Sequence, residues 1–467
     1  MYPHDMRQLI FSEFILPFEG QLDSRNRWVR LAELVPWNQF EKHYASLFSS
    51  DNGAPAKPFR MALGALIIKE RLNCSDEELV EQVRENPYLQ FFLGLEAFQQ
   101  GSPFEASMMV HFRKRITAEM LCEINETLVA ELRNSQATVD DTEPPVLGNL
   151  SDAQTDRPEP VKNQGKLLLD ATCAPADITY PTDPKLLNES RKKSETLIDV
   201  LHQQRPAGSR KPRTYRKKAH RHWLSFSKLR RPSHSKIRAI KRKLLGYLTR
   251  NIKHLDQLID EVGLCSLNKS QYKSLLVIRE ICRQQQEMFD QNKQRIDHRI
   301  VSLSQPHVRP IVRGKAGKNV EFGAKLSASL DQGFFFLDRI SWNNFNESTQ
   351  LISQVETYRQ RHAHYPESLH VDKIYRTQAN LAWCKTRNIR LSGPKPGRPL
   401  KESPENHQMI LQNRKQAHED ELARIPIEGK FGQGKRRFGL DRVMSKLALT
   451  SQSAIALTFL VINLEKG

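Results

Sequence analysis

Three carboxylates stand in sequence surroundings that suit the binding of divalent metal ions. Asp170 closes the apolar run LLLD, Asp372 closes the short run SLHVD, and Glu428 is a lone acid in the basic segment RIPIEGKFGQGKRRFG. Hard cations prefer oxygen ligands, and Mg²⁺ keeps coordination positions open for a substrate phosphate. Two such ions about 4 Å apart can activate an attacking oxygen and stabilise a leaving oxygen in phosphodiester displacement. An isolated Asp after a strand is usually structural, so this prediction depends on all three acids together.

The charge balance predicts a polyanionic partner. The 467 residues carry a net charge of +19, with a pI of about 9.6. Nucleic acid is the first candidate partner and an anionic membrane surface is the second. Residues 201–255 contain eighteen Lys or Arg and no Asp or Glu, interleaved with Tyr215, Trp223 and Phe226. Since a solvated charged surface normally mixes both signs, this segment is predicted to contact phosphates.

Several other site classes are disfavoured by the sequence. The six cysteines are scattered without a C-x-x-C pair, which argues against a structural zinc site and favours a reducing compartment. Cys173 is therefore read as a small buried residue rather than a nucleophile. The N-terminal stretch lacks the basic-then-apolar order of a signal peptide. The apolar run 454–464 has eleven residues, too few to span a bilayer, so it is predicted to be a buried element.

Periodicity divides the chain into three parts. Residues 1–133 are predicted to form a helical domain, because apolar residues recur at near-helical spacing. Its basic segment HFRKR is compatible with a helix-turn-helix DNA-binding unit, and a plain helical bundle is the alternative. Residues 134–165 are polar, acidic and proline-bearing, as expected for a linker. Residues 166–467 follow as a third part.

The sequence of the third part, residues 166–467, predicts a mixed sheet with flanking helices. A first strand ends near Asp170, and long basic helices follow it. Two strands around the turn Asp331-Gln332-Gly333 have the signature of a hairpin. Helices then alternate with short strands up to the segment that holds Glu428. The fold class is therefore α/β, preceded by an all-α N-terminal domain. Asp177 and Asp183, which lie near the first strand, are not expected to be metal ligands.

Three stretches resemble the DDE transposases of bacterial insertion sequences. LLLDATCAP resembles the first catalytic strand of that family, and HVDKIYRT with IRLSGPKPGRP resembles the second. RIPIEGKFGQGKRRFGL resembles the third, because Arg424, Glu428 and Lys435 meet the spacing R-x3-E-x6-K. The family has Tyr three positions before this Arg, whereas this chain has Glu421. The N-terminal helices also resemble the N-terminal domain of the family.

The resemblance implies an RNase H-like catalytic core. Asp170 and Asp372 are separated by 202 residues, which implies that the basic helices from about 190 to 305 are an insertion after the first strand. The family places the catalytic Glu on a helix. The glycines around Glu428 make that helix intrinsically poor, and Pro426 is expected to be tolerated only if the helix begins near it.

The resemblance also assigns roles to residues. Asp170, Asp372 and Glu428 are expected to hold two Mg²⁺ ions, with Mn²⁺ as an alternative. Arg424 and Lys435 are expected to hold the DNA end. The remaining residues that we predict to contact DNA are Arg436, Lys373, Tyr375, Lys217, Lys218, Arg221, Arg230 and Arg231. For Tyr375, stacking on a flipped base and packing on the sheet both remain open.

By resemblance, the reaction is hydrolysis at the ends of a mobile element followed by strand transfer to target DNA. The expected partners are the terminal inverted repeats and the target duplex, bound by a homodimer in the bacterial cytoplasm at the nucleoid, with no membrane partner. One alternative is an RNase H-fold nuclease or resolvase that never joins DNA. Another is a catalytically silent DNA-binding relic of a transposase.

Overall fold

The computed structural model describes residues 13–16, 20–49, 55–140, 162–312, 320–394, 403 and 406–466, with only the backbone of 135–140. The chain divides into two compact units. The first comprises residues 1–175, 325–341 and 345–467, and the second comprises 176–324 and 342–344. Residues 141–161 of the predicted linker lie outside the described residues.

The N-terminal part of the first unit is helical, as predicted. Its helices are Arg27–Leu34 (α1), Trp37–Ala45 (α2), Phe59–Leu72 (α3), Asp76–Glu85 (α4), Pro87–Phe92 (α5), Met108–Arg115 (α6) and Ala118–Asp140 (α7). Trp28 and Trp37 pack edge-on against Phe92, at ring-centroid distances of 5.3 and 5.4 Å. The buried Arg60 donates to the carbonyls that end α5 and lies 5.3 Å from the Trp37 ring. Helix α7 continues to Asp140, seven residues into the segment predicted as a linker.

The basic segment HFRKR forms the end of α6. Arg113 pairs with Asp76, and Arg115 lies 4.5 Å from the centroid of the Phe48 ring. Lys114 is exposed. Two of the three cations in this segment are therefore engaged inside the helical part, and the choice between a DNA-reading unit and a plain bundle stays open.

Among the described residues the sheet has six strands, and five of them follow the order β2 (Arg309–Val312), β3, β1, β5, β6, while β4 pairs with β3 off this path. The other strands are Lys166–Pro175 (β1), Val320–Asp331 (β3), Phe334–Ser341 (β4), Ser368–His370 (β5) and Arg390–Leu391 (β6). Strands β1, β5 and β6 are parallel, and β3 with β4 forms an antiparallel hairpin. Gln332 and Gly333 have φ values of 51° and 81°, which suits a two-residue hairpin turn. This mixed sheet with its flanking helices confirms the RNase H-like expectation.

The helices around this sheet are Leu351–His362 (α12), Gln378–Lys385 (α13), His407–Arg437 (α14) and Ala448–Leu464 (α15). Helix α15 contains the apolar run predicted to be buried, and its side chains are almost all inaccessible. Asn463 on α15 donates to Asn125 on α7 and to the Phe335 carbonyl on β4, at 2.9 and 2.8 Å. A buried polar network thus ties the N-terminal helices to the sheet. In the described parts of the chain, no helix is long and apolar enough to cross a membrane.

The second unit contains long basic helices inserted after β1, as predicted. They are Asp183–Gln203 (α8), Arg216–Ser227 (α9), His234–Val262 (α10) and Lys269–Asp290 (α11). Strand Arg309–Val312 (β2) pairs with the first residues of β3. The core is formed mainly by leucines and isoleucines of α8, α10 and α11. Asp183 begins α8 and binds Lys241 at 2.8 Å and Gln285 at 3.0 Å, so it joins three helices.

Glu70 on α3 is a half-buried acid whose raised pKa predicts a pH-dependent stability. Burial raises its pKa to about 7, against the hydrogen bond from Thr458 and the charge of Lys69. The pKa of this carboxyl is higher in the folded chain than in the unfolded chain, so the protonated carboxyl favours folding. This contribution to the free energy of unfolding is lost as the pH rises from about 4.5 through 7.

We expect Glu70→Gln to remove this pH dependence. Relative to the variant, the wild-type chain should lose about 3 kcal/mol of unfolding free energy between pH 5 and pH 8. Urea denaturation at both pH values measures the difference. The exposed control Glu77→Gln should keep the wild-type dependence. If Glu70→Gln also keeps it, the titration belongs to another group.

Candidate active site

Two of the predicted acids lie on or just after neighbouring parallel strands. The register pairs Leu168 on β1 with His370 on β5. Continued by two residues, that register places Asp170 beside Asp372, which follows the end of β5. Asp372 begins a short 3₁₀ turn, and its carboxylate accepts the Lys373 backbone N–H at 2.7 Å. The two acids are thus brought together by strand pairing, across 202 residues of sequence.

Asp170 lies inside β1 rather than at its end. The strand continues for five residues beyond it, because the apolar residues of ATCAP also face buried surroundings. Burial raises the pKa of the Asp170 carboxyl to about 6. The Ala171 N–H and the charge of Arg424 oppose this shift, whereas the charges of Glu347 and Glu428 add to it. The acid therefore stands in a desolvated position among both positive and negative groups.

Helix α14 supplies the third acid and its neighbouring cations. Arg424, Glu428 and Lys435 are spaced by four and seven residues, which places them on one face of the helix. Ile427 and Phe431 on an adjacent face are buried, and α14 packs on β1 and β5. Phe431 meets Phe335 of β4 edge-on at a centroid distance of 5.1 Å. Tertiary packing thus orders a helix that its glycines weaken.

The prediction that α14 begins near Pro426 is wrong. The helix runs from His407 to Arg437, so Pro426 lies in its interior. Proline removes one backbone N–H and leaves the carbonyl four residues earlier, that of Leu422, without its helical partner. Residues 425 and 426 are exposed, so this side of the helix faces solvent. The packing of Ile427 and Phe431 outweighs the proline penalty.

One of the glycines in α14 is required by close packing. A Cβ at Gly434 would lie 3.3 Å from Leu440 and 3.4 and 3.5 Å from Thr458 and Ile462 of α15. A side chain there would push the two helices apart. Gly429, by contrast, has open space where a Cβ would stand.

Arg424 lies between two of the three acids. Its Nη1 is 3.8 Å from Asp372 Oδ1, and its Nη2 is 3.4 Å from Glu428 Oε1. Its Nε is buried without a hydrogen-bond partner. Both carboxylates remain more than half exposed, while the Arg424 side chain is 20% exposed. The guanidinium therefore links the end of β5 to α14 and leaves the carboxylates open to solvent.

Lys435 joins the same face of α14 to β1. Its Nζ donates to the Thr172 hydroxyl at 3.0 Å. Thr172 lies two residues after Asp170, so both side chains point to the same face of the sheet. Lys435 thus lies on the face of β1 that carries Asp170, whereas Arg436 and Lys373 are exposed near the ends of their elements.

The donor chemistry of the three acids suits a divalent metal, because all of them offer carboxylate oxygens. Within the described residues, however, no group of three or more His, Cys, Asp or Glu side chains is gathered closely enough to hold an ion. The position of Arg424 between Asp372 and Glu428 accounts for their separation. The three carboxylates are therefore of the type that binds Mg²⁺. In this structure the guanidinium of Arg424 lies between the carboxylates of Asp372 and Glu428.

Tyr375 is not accessible for stacking on a flipped base, which was one of the two predicted roles. It is fully buried in the cluster formed by Leu167, Leu169 and Val355, and desolvation raises the pKa of its hydroxyl. Packing on the sheet is thus the reading that the structure supports. The other predicted DNA contacts, Lys217, Lys218, Arg221, Arg230 and Arg231, are exposed residues of the second unit.

Two ion pairs in this part of the chain were not predicted from the sequence. Asp420 on α14 is buried and accepts two hydrogen bonds from Arg390 of β6 at 2.9 Å and one from the Gly393 N–H at 3.2 Å. Lys325 on β3 pairs with Glu347 at 2.9 Å. Asp420 sits in a polar helical segment rich in acids, and no sequence signal separates it from its exposed neighbours.

Two protein-family models match separate parts of the chain. The model of the Transposase DDE domain matches residues 369–465, which include Asp372, Arg424, Glu428 and Lys435. The model of the Transposase domain (DUF772) matches residues 16–115 in the N-terminal helices. No solved structure matches the chain significantly.

A curated relative from Rhizobium meliloti, the "Uncharacterized protein ORF8 in nfe locus", is 35% identical over 174 residues. That match covers 36% of this chain and 73% of the relative. The two family models fall on the helical N-terminal part and on the part that carries the second and third acids. With its RNase H-like sheet, the chain belongs to the insertion-sequence DDE transposases.

Proposed function

We propose that this transposase cuts the ends of an insertion sequence and joins the freed 3′ ends to target DNA in a metal-dependent reaction. The observation that carries the proposal is the position of Arg424, which contacts Asp372 and Glu428 and whose charge acts on Asp170. Mg²⁺ held by these carboxylates, or Mn²⁺ in its place, would supply activation of the attacking oxygen and charge neutralisation at the leaving oxygen.

The cations beside the acids are assigned to the DNA end. Arg424 and Lys435 carry positive charge on the same face of α14 as Glu428. A guanidinium can donate two parallel hydrogen bonds to a phosphate, which fixes the orientation of the strand as well as its charge. Lys373 and Arg436 are exposed and extend this positive surface. In this proposal they position the DNA, while the carboxylates act at the scissile phosphate.

The decisive experiment uses the DNA that flanks the gene, labelled at both presumed ends of the element. The wild-type protein is incubated with it in Mg²⁺ and in chelator. Discrete cuts at a repeat boundary together with joined products, seen in Mg²⁺ alone, are the expected result. Cuts without joined products would favour a nuclease or resolvase. Binding without cuts at any tested boundary would contradict catalysis and favour a DNA-binding relic.

Two ends have to be held together for this reaction, so we propose that the chain works as a homodimer on DNA at the nucleoid. Light scattering of the protein with and without end DNA tests this. A complex of one chain with one DNA end as the sole species would contradict it.

An exposed basic surface of the second unit is proposed to hold DNA away from the acids. We call Lys217, Lys218, Arg221, Lys228, Arg230 and Arg231 the α9 surface. Each of these side chains is exposed. Among the residues that the structure describes, no acid forms an ion pair with any of them. These cations therefore keep their charge available for phosphates.

We expect Lys217→Gln/Lys218→Gln to flatten the salt dependence of DNA binding. If each lysine neutralises one phosphate, the slope of log K against log salt should become less steep by about 1.8. Fluorescence anisotropy with a labelled duplex at several salt concentrations measures this slope. The control Lys269→Gln/Lys273→Gln removes two exposed charges from α11 and should leave the slope unchanged. Equal slopes for wild type and the α9 variant would exclude these lysines as phosphate contacts.

A further inference from the structure

A second basic feature of the same unit lies on α10, within the segment 201–255 that is predicted to contact phosphates but apart from the α9 surface. A groove of about 450 Å³ runs between α10 and α11. Arg242, Gly246, Arg250 and Lys253 line it from α10, while Gln286 and Phe289 line it from α11. The α10 residues recur at intervals of four, four and three, so they form one stripe along the helix. At 1.5 Å per residue the stripe is about 16 Å long.

The cations of the groove are not neutralised by the protein. Arg242 and Lys253 are exposed, and no described acid pairs with either of them. The Arg250 guanidinium lies 4.9 Å from the ring of Tyr215 and 5.8 Å from the ring of Tyr247. These rings hold the guanidinium in place without removing its charge.

Of the two acids nearest to the groove along α10 and α11, one is paired outside it and the other binds a neutral side chain of the groove wall. Asp290 accepts hydrogen bonds from Gln286, and Asp256 pairs with Arg279. The Arg238 guanidinium, one turn before Arg242, stacks on the Phe289 ring at 4.3 Å. The groove is therefore a positively charged channel with an aromatic wall.

Gly246 has no structural reason to be a glycine. It lies in the middle of a 29-residue helix, where glycine is less stable than alanine. A Cβ at this position would meet nothing within 4 Å, so neither packing nor backbone conformation demands its absence. The missing side chain instead deepens the floor of the groove between Arg242 and Arg250. A ligand that approaches the helix backbone closely would account for it.

We propose that this groove binds the sugar-phosphate backbone of duplex DNA, with Gly246 as its floor and Arg242, Arg250 and Lys253 as phosphate contacts. The inference deepens the proposed function and rests on it for the identity of the polyanion. A row of cations about 16 Å long matches several successive phosphates, which advance about 3.4 Å along the axis per nucleotide of one strand. The contact is with the backbone, so it is independent of base sequence.

The test separates an effect on DNA binding in the groove from an effect on the stability of α10. Gly246→Ala adds one methyl group to the floor and changes no charge. We expect it to weaken DNA binding by about fivefold or more, while the thermal unfolding midpoint stays unchanged or rises. Arg242→Gln/Lys253→Gln should reduce the salt slope by about 2. The control Lys269→Gln/Lys273→Gln removes the same charge elsewhere on the unit and should match wild type.

The probe is a labelled duplex of random sequence bound to the full-length chain and followed by anisotropy, in competition with duplex RNA and with anionic phosphatidylserine vesicles. Wild-type affinity in Gly246→Ala together with a wild-type salt slope in Arg242→Gln/Lys253→Gln would overturn the proposal. Preference for RNA or for vesicles over DNA would overturn it as well. Cleavage by the wild-type chain is scored separately on end DNA. If the groove variants weaken DNA binding but the wild-type chain does not cleave end DNA, the catalytic proposal is contradicted and the groove proposal is not.

Discussion

Replacing Asp372 with Asn is expected to abolish cleavage of element ends while leaving DNA binding near the wild-type level. The carboxylate is more than half exposed and contacts only the Lys373 N–H and the Arg424 guanidinium among the described residues. Its loss therefore removes a metal-binding oxygen without opening the core. Since a catalytic metal contributes several kcal/mol to transition-state stabilisation, the rate should fall by about 1000-fold or more. End-labelled DNA in Mg²⁺ measures this rate.

Asp170→Asn and Glu428→Gln should behave in the same way, because all three acids supply oxygens to one proposed site. The matched control is Asp441→Asn, which makes the same chemical change at an exposed acid of the same unit. It should cut at the wild-type rate. Nicking retained by Asp170→Asn would remove that acid from the catalytic set, and loss of DNA binding in any of these variants would show a structural role instead.

The sequence predicted the elements whose signals are local. The hairpin at Gln332-Gly333 is specified by turn chemistry between two apolar runs, and the long helix α10 is specified by its apolar spacing. The acids Asp170, Asp372 and Glu428 were predicted from the apolar runs and the basic segment beside them, and motifs that resemble the family surround the same positions. Each of these features depends on residues close together in the chain.

What the sequence did not predict depends on tertiary packing. The interior position of Pro426 is decided by burial of Ile427 and Phe431, which propensity does not contain. The burial of Tyr375 follows from the arrangement of the strands beneath it. The role of Arg424 as a link between Asp372 and Glu428 requires β5 and α14 to meet, and their sequence separation hides this contact.

From its contacts we infer that Asp420 holds α14 in position on the sheet. It lies four residues before Arg424 and eight before Glu428, so its anchoring to β6 fixes the start of the helical face that carries both. Arg390 and the Gly393 N–H both donate to this buried carboxylate. Gly393 has φ of +96°, and a Cβ there would stand 3.3 Å from the Arg376 guanidinium, so the turn has little freedom to adjust.

Asp420→Ala is therefore expected to lower both stability and catalysis. It removes a buried carboxylate that accepts from Arg390 and the Gly393 N–H, but both donors are exposed and can bind water instead, so the unfolding free energy should fall by about 1 to 2 kcal/mol. A shift of α14 by about 1 Å would misplace Glu428 and reduce cleavage by up to about 100-fold. Urea denaturation and the end-cleavage rate measure the two effects. Asp420→Asn, which keeps one acceptor oxygen, should lie between the alanine variant and wild type.

Glu419→Ala is the matched control, because it removes an exposed acid from the neighbouring position of the same helix. It should leave stability and cleavage unchanged. If Asp420→Ala were as stable and as active as Glu419→Ala, the Asp420–Arg390 contact would not be what holds α14 on the sheet. The packing of Phe431 against Phe335 would then be sufficient to place Glu428 beside the two strand acids.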